Sequence, residues 1–135
     1  MARGFIPLKN EDGRVPPWEY LPCTGSTKPD IGLALVLSSG KLAKASGTTK
    51  PTHICMCEAP AALAAGTIIP VIAVQPDMQF ECVNQANLSS VNVGQAVTLH
   101  TDGLQVTATT SSGVATIVEK TAGTGTGNRT VVKFL

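Results

Sequence analysis

From residue 31 onward, apolar residues come in short runs, each bounded by glycine, proline, serine, threonine or aspartate. Runs of that length and spacing read as β-strands rather than as long amphipathic helices. The pattern predicts strands over 31–37, 41–45, 53–58, 67–74, 78–83, 95–99, 104–109, 114–119 and 129–134. Turn signals at Ser38-Ser39-Gly40, Gly47-Thr48-Thr49, Gln75-Pro76-Asp77 and Thr101-Asp102-Gly103 separate them. Short strands at regular intervals predict an all-β domain of the barrel-like or sandwich kind. Pro70 falls inside the fourth run; because proline cannot donate to a ladder, it predicts an edge strand or a bulge there. Between the third and fourth runs, Pro60 and Gly66 could start and stop a one- or two-turn helix, with a long loop as the equal alternative.

The pattern also repeats. Asp30-Ile31-Gly32-Leu33-Ala34-Leu35-Val36-Leu37, followed by Gly40-Lys41-Leu42-Ala43-Lys44-Ala45, returns as Asn92-Val93-Gly94-Gln95-Ala96-Val97-Thr98-Leu99, followed by Gly103-Leu104-Gln105-Val106-Thr107-Ala108. Both copies carry a turn residue, a glycine, a short strand, a polar turn and a second strand, which is the grammar of a β-hairpin. Turn and apolar positions are kept while polar residues vary, so what is duplicated reads as scaffold. A smaller echo relates residues 25–30 to residues 47–52, each with a Lys-Pro pair, Lys28-Pro29 and Lys50-Pro51, leading into a strand. Proline there fixes φ and holds its predecessor extended, a structural role that outranks a binding role for Lys28 and Lys50.

Residues 1–29 break the pattern. They hold Pro7, Pro16, Pro17, Pro22 and Pro29 and show neither apolar period, so they predict an extended N-terminal arm ahead of a β domain at 30–135. The arm nevertheless brings the only Trp and the only Tyr together in Trp18-Glu19-Tyr20-Leu21-Pro22. Large rings in one cluster predict docking, either on the chain's own domain or on a neighbour, and make Trp18, Tyr20 and Leu21 the candidate contact residues. Residues 123–128, rich in glycine and threonine, read as a flexible loop; they lack the lysine and following helix of a phosphate-binding loop.

Composition narrows the function classes. With aromatics at 4%, the core of this 135-residue chain must be built from Val, Ile, Leu and Ala. A net charge of +1 with only 14% charged residues gives no electrostatic footprint for nucleic acid or an anionic membrane. So little surface charge also suggests that part of the surface is covered by other subunits or a partner. No apolar run reaches the roughly 18 residues of a membrane span, and Met1-Ala2-Arg3 is not followed by a signal-peptide core. The expectation is a protein made in a reducing cytosol, with Cys23, Cys55, Cys57 and Cys82 as thiols.

The sharpest candidate for chemistry is His53-Ile54-Cys55-Met56-Cys57. On one strand His53, Cys55 and Cys57 share a face, and Cys82 from a neighbouring strand could complete a Cys3His zinc site. Three successive same-face positions of a straight strand lie too far apart to surround one ion, however, so buried thiols are the preferred reading and no cofactor is expected. A Cys55–Cys57 disulfide is disfavoured on the same ground, the two side chains standing roughly 6.5 to 7 Å apart, and a Cys57–Cys82 bridge requires those strands to pair. The histidines, His53 and His100, have no nucleophile elbow beside them, and Glu58, Asp77, Glu81, Asp102 and Glu119 read as solvated carboxylates. The expectation is a protein that is not an enzyme.

Trp18-Glu19-Tyr20-Leu21-Pro22, then Gly32-Leu33-Ala34-Leu35-Val36-Leu37-Ser38-Ser39-Gly40-Lys41-Leu42, then Ala45-Ser46-Gly47-Thr48-Thr49-Lys50-Pro51-Thr52-His53-Ile54 together resemble the head decoration, or capsid cement, proteins of tailed bacteriophages. The resemblance runs from about residue 16 to residue 83 and is architectural beyond it. It implies a small β-tulip or barrel-like domain that trimerises. It also implies a place on the outer surface of the virion, where the major capsid protein is the partner, after synthesis in the host bacterial cytoplasm. A surface-displayed module recognising a receptor or carbohydrate is the alternative, and exposed aromatic rings on an open face would favour it.

Overall fold

The computed structural model describes residues 4–9, 16–120 and 126–135. It is all-β, with β1 (Ile6–Lys9), β2 (Trp18–Pro22), β3 (Ala34–Ser38), β4 (Lys41–Lys44), β5 (His53–Cys55), β6 (Ile68–Ala73), β7 (Gln79–Asn84), β8 (Ala96–Val97), β9 (Gln105–Val106), β10 (Ala115–Lys120) and β11 (Arg129–Phe134). Two sheets share these strands. One has the order β2-β6-β5-β3-β4; the other has the order β1-β7-β11-β10-β8, with β9 beside β7. Pairing is antiparallel except between β7 and β9.

Alternation along the strands builds two apolar clusters. Ala34, Ile54 and Ile72 of the first sheet meet Phe80, Cys82, Val97, Ile117, Val132 and Phe134 of the second. The residues one step along, Leu35, Cys55 and Val71, point the other way and join Cys23, Leu33, Leu42 and Ile69 in a separate cluster. The first sheet curls around this second cluster until Cys23, just past β2, bridges Leu42 of β4, and Thr24 N–H donates to Leu42 O at 2.9 Å. The curl is barrel-like, but neither sheet closes into a barrel.

Both copies of the duplicated segment turn back on themselves. In the first, β3 and β4 pair from Leu35↔Lys44 to Ser38↔Lys41. Its tip is Ser39-Gly40, with φ of 51° and 80°, the double left-handed turn that matches strand twist. In the second, His100 N–H donates to Gln105 O at 2.8 Å and Thr107 N–H to Thr98 O at 3.0 Å, while β8 goes on to pair with β10 and β9 with β7. The copies also bind each other, through Ala34 N–H to Gly103 O at 2.9 Å, and Gly47, just past the first copy, exchanges reciprocal bonds of 2.9 and 3.0 Å with Leu99 of the second.

The described residues of the segment set apart as an arm form two strands, followed by a turn at Gly25-Ser26, and they dock on their own chain. β1 adds to β7, β2 adds to β6, and Phe5 is fully buried with its ring 5.1 Å from that of Phe134. Phe5 N–H donates to Gly32 O at 2.8 Å, where the two backbones touch: a Cβ on Gly32 would stand 2.6 Å from Gly4 C, and its φ is +87°. Only glycine satisfies both conditions. Residues 123–125 of the 123–128 loop, and residues 10–15 between β1 and β2, lie outside the described residues.

One local expectation is corrected. Pro70 does not put β6 at an edge: β6 lies between β2 and β5, with Tyr20 opposite Pro70. The N–H and C=O of a strand residue face the same neighbour, and Pro70 O accepts from Met56 N–H at 3.0 Å, so the missing donor faces β5 and leaves the β2 ladder intact. The cost falls on β5, which ends at Cys55 instead of running to residue 58. Of the two alternatives for residues 60–66, the structure takes the loop. Their neighbourhood bonds outward, with Leu63 N–H to Thr27 O and Gly66 N–H to Cys23 O.

Candidate functional site

β2 sorts the three candidate contact residues by strand alternation. Trp18 and Tyr20 face out, 52% and 65% exposed, while Leu21 on the opposite face packs against the second cluster. Trp18, Tyr20 and Pro22 pair with Ile72, Pro70 and Ile68 of β6, so the rings share their face with Ile68, itself 57% exposed. Residues on this face are buried further across the sheet, at Ile54 and Ile72, where the second sheet covers them. The result is an apolar surface of Trp18, Tyr20, Ile68 and Pro70 continuous with the core face, on a strand that is the sheet edge among the described residues. Ile68 and Pro70 were not legible as partners of the rings, because nothing in the sequence announces that β2 pairs with β6.

Polar contacts hold that edge in place. Glu19, between the rings in sequence and on the reverse face, places Oε1 3.0 Å from His53 Nε2 on β5, reaching across β6. His53 Nδ1 lies 2.9 Å from Thr52 Oγ1, which accepts from Leu37 N–H at 2.8 Å. This carboxylate–imidazole–hydroxyl line ties β2 to β5 and β3. Both ring nitrogens of His53 are engaged by it, which removes the side chain from metal ligation.

The four metal candidates are not brought together. Cys82 sits in the cluster between the sheets, Cys55 in the cluster on the far face of the first sheet, and β7 pairs with neither β5 nor its neighbours. A Cys57–Cys82 bridge is excluded by the same separation. Among the described residues no group of three His, Cys, Asp or Glu side chains is placed to hold an ion. Cys55 and Cys57 are much closer than a straight strand allows, however, with Sγ atoms 3.8 Å apart and the Cys55 thiol donating to Cys57 O at 3.4 Å. Burial pushes the Cys55 thiol up to about 12, and burial pushes the Cys82 thiol up as well.

Among the described residues, clefts elsewhere include one of about 260 Å³ beside Lys28, Asp30, Lys44 and Asp102, and one of about 190 Å³ beside Lys50, Pro51 and Phe134. Both are smaller than the roughly 300–1,000 Å³ of small-molecule sites. Lys28 is itself occupied, 3.6 Å from Asp30.

No protein-family model and no curated protein matches this chain.

Proposed function

We propose that the chain is a structural virion protein, a homotrimeric decoration protein that binds the outside of a phage head and stabilises the capsid. The observation that carries this reading is the outward pair Trp18 and Tyr20 with Ile68, on an edge strand pinned from behind by Glu19 and His53. Buried rings at the centre of an interface carry most of its binding energy, and rigid placement lowers the entropy lost on docking. A cement protein must bridge neighbouring capsid subunits against pressure from packaged DNA, by modest contacts multiplied by symmetry. A stiff two-sheet body with few charges and one apolar edge suits that task, with the major capsid protein as its partner. The test is co-sedimentation with expanded heads, together with solution mass. Saturable binding and a trimer support the reading; a monomer that ignores mature heads ends it.

The same exposed rings favour a second reading, a surface-displayed module that stacks Trp18 or Tyr20 on a sugar or receptor. A glycan array separates the two: hits lost in the Trp18→Ala variant support the module, and a blank array counts against it.

A further inference from the structure

We propose that Cys55 and Cys57 are a redox-active dithiol, a modification site that exchanges with small-molecule disulfides of the glutathione class to form an intramolecular disulfide. This dithiol is independent of the capsid reading and owes its geometry to Pro70. Because Pro70 has no N–H to offer residue 56, the β5 ladder stops at Cys55 and the chain leaves the strand at Met56. Side chains two apart would otherwise stand roughly 6.5 to 7 Å from each other. Here the sulfurs are 3.8 Å apart, and the Cys55 thiol already donates to the Cys57 carbonyl. Closing to the roughly 2.05 Å of a disulfide asks for side-chain rotation and a small shift at Cys57, which lies beyond the last cross-strand bond, from Met56 N–H to Pro70 O.

Accessibility assigns the two roles. Cys57 is half-buried at the margin of the second cluster, whereas Cys55 is fully buried within it. The Cys57 thiolate attacks one sulfur of oxidised glutathione; that S–S bond breaks, one glutathione leaves as the thiol with a proton, and a mixed disulfide forms on Cys57. Cys55 then gives up its proton and attacks the Cys57 sulfur, forming the Cys55–Cys57 bond and releasing the second glutathione as thiol. Two protein thiols lose two electrons and two protons, which the small disulfide gains. The ring closed by so short a span is strained, and strained disulfides are the readily reduced, reversible kind. Cys23 and Cys82, at 0% and 2% exposure, are shielded from the same reagent in the folded chain.

The experiment is intact-mass and fragment analysis of the reduced, folded full chain after exposure to oxidised glutathione and acid quenching. The expected product is lighter by about 2 Da, with the bond mapped within residues 55–57. Cys55→Ser should instead accumulate a lasting glutathione adduct on Cys57, and Cys57→Ser should take up none over the same interval. Closure of the mixed disulfide should quicken about tenfold per pH unit between about pH 7 and 9, since the attacking thiol is almost wholly protonated there. A wild-type chain that stays fully reduced, that keeps its adduct unresolved, or that bridges Cys23 or Cys82 overturns the proposal. The wild-type result decides without relying on either variant to fold.

Discussion

Replacing Phe5 by alanine separates a docked strand from a loose arm more sharply than any other single change. Phe5 is fully buried, its ring stacks edge-on against Phe134 at 5.1 Å, and Phe134 in turn lies 5.2 Å from Phe80. Truncating a ring at such a site removes its transfer energy and leaves a cavity, together about 3–5 kcal/mol. Domains of this size have roughly 5–15 kcal/mol in all, so the variant should fold but with a large part of its margin gone. At about 2.1 cal/mol/K per residue, the 135 residues unfold with an entropy of about 0.28 kcal/mol/K. A loss of about 4 kcal/mol therefore lowers Tm by about 14 °C. Urea unfolding should show the midpoint falling by about 2 M with the slope unchanged, for a slope of about 2 kcal/mol/M. Trp18→Ala is the internal control, since a ring 52% exposed should cost less than about 1 kcal/mol. If Phe5→Ala also cost less than about 1 kcal/mol, β1 would be no part of the folded core in solution and the docking argued here would fail.

Three further outcomes follow from the same structure. Gly32→Ala, with φ of +87° and the Gly4 backbone 2.6 Å from the new Cβ, should cost at least about 3 kcal/mol in urea unfolding, whereas Gly40→Ala, with open space around it, should cost about 1 kcal/mol; equal losses would refute the close crossing. On the proposed decoration reading, Trp18→Ala with Tyr20→Ala should weaken head binding more than about 100-fold while leaving the protein's own urea midpoint nearly unchanged, and unaltered co-sedimentation would move the contact elsewhere. The buried thiols of Cys55 and Cys82 have pKa values raised by folding, so the folded chain holds their protons more tightly than the unfolded chain does. Their contribution is fully present below the unfolded thiol value and is lost as pH rises from about 9 toward about 12. Reduced protein should therefore show urea midpoints that fall through this range, and a Cys55→Ala, Cys82→Ala variant should flatten the decline.

Strands from residue 34 onward were legible because each is a short apolar run between turn residues, and the hairpin grammar correctly paired β3 with β4. β1 and β2 were not, since Pro7, Pro16, Pro17 and Pro22 mask any period and none of their described residues is fully buried, so no apolar alternation marks them. For the candidate surface, the choice of Trp18 and Tyr20 was readable from their clustering. The separation of Leu21 from them required knowing that the segment is a strand, because alternation then sends it to the other face. The Cys55–Cys57 approach was invisible for a different reason: it depends on Pro70, which stands opposite only after the sheet is assembled.

The order of strands also sets the order in which this chain can be completed. β11 lies between β7 and β10, yet it is the last of the described strands to be synthesised, and β7 also waits for its neighbour on the other side, β1, to be gathered in from far along the chain. Until residues 129–134 emerge, Phe80 and Ile117 have no Val132 or Phe134 to cover them, whereas the β3–β4 hairpin can form as soon as it is made. Sheets closed by such distant pairings fold on the order of milliseconds to seconds, so a nascent chain should pass through a stage with one sheet formed and the other open. That stage exposes the apolar inner face of the first sheet and is where crowding in the cell would most readily divert the chain into aggregates.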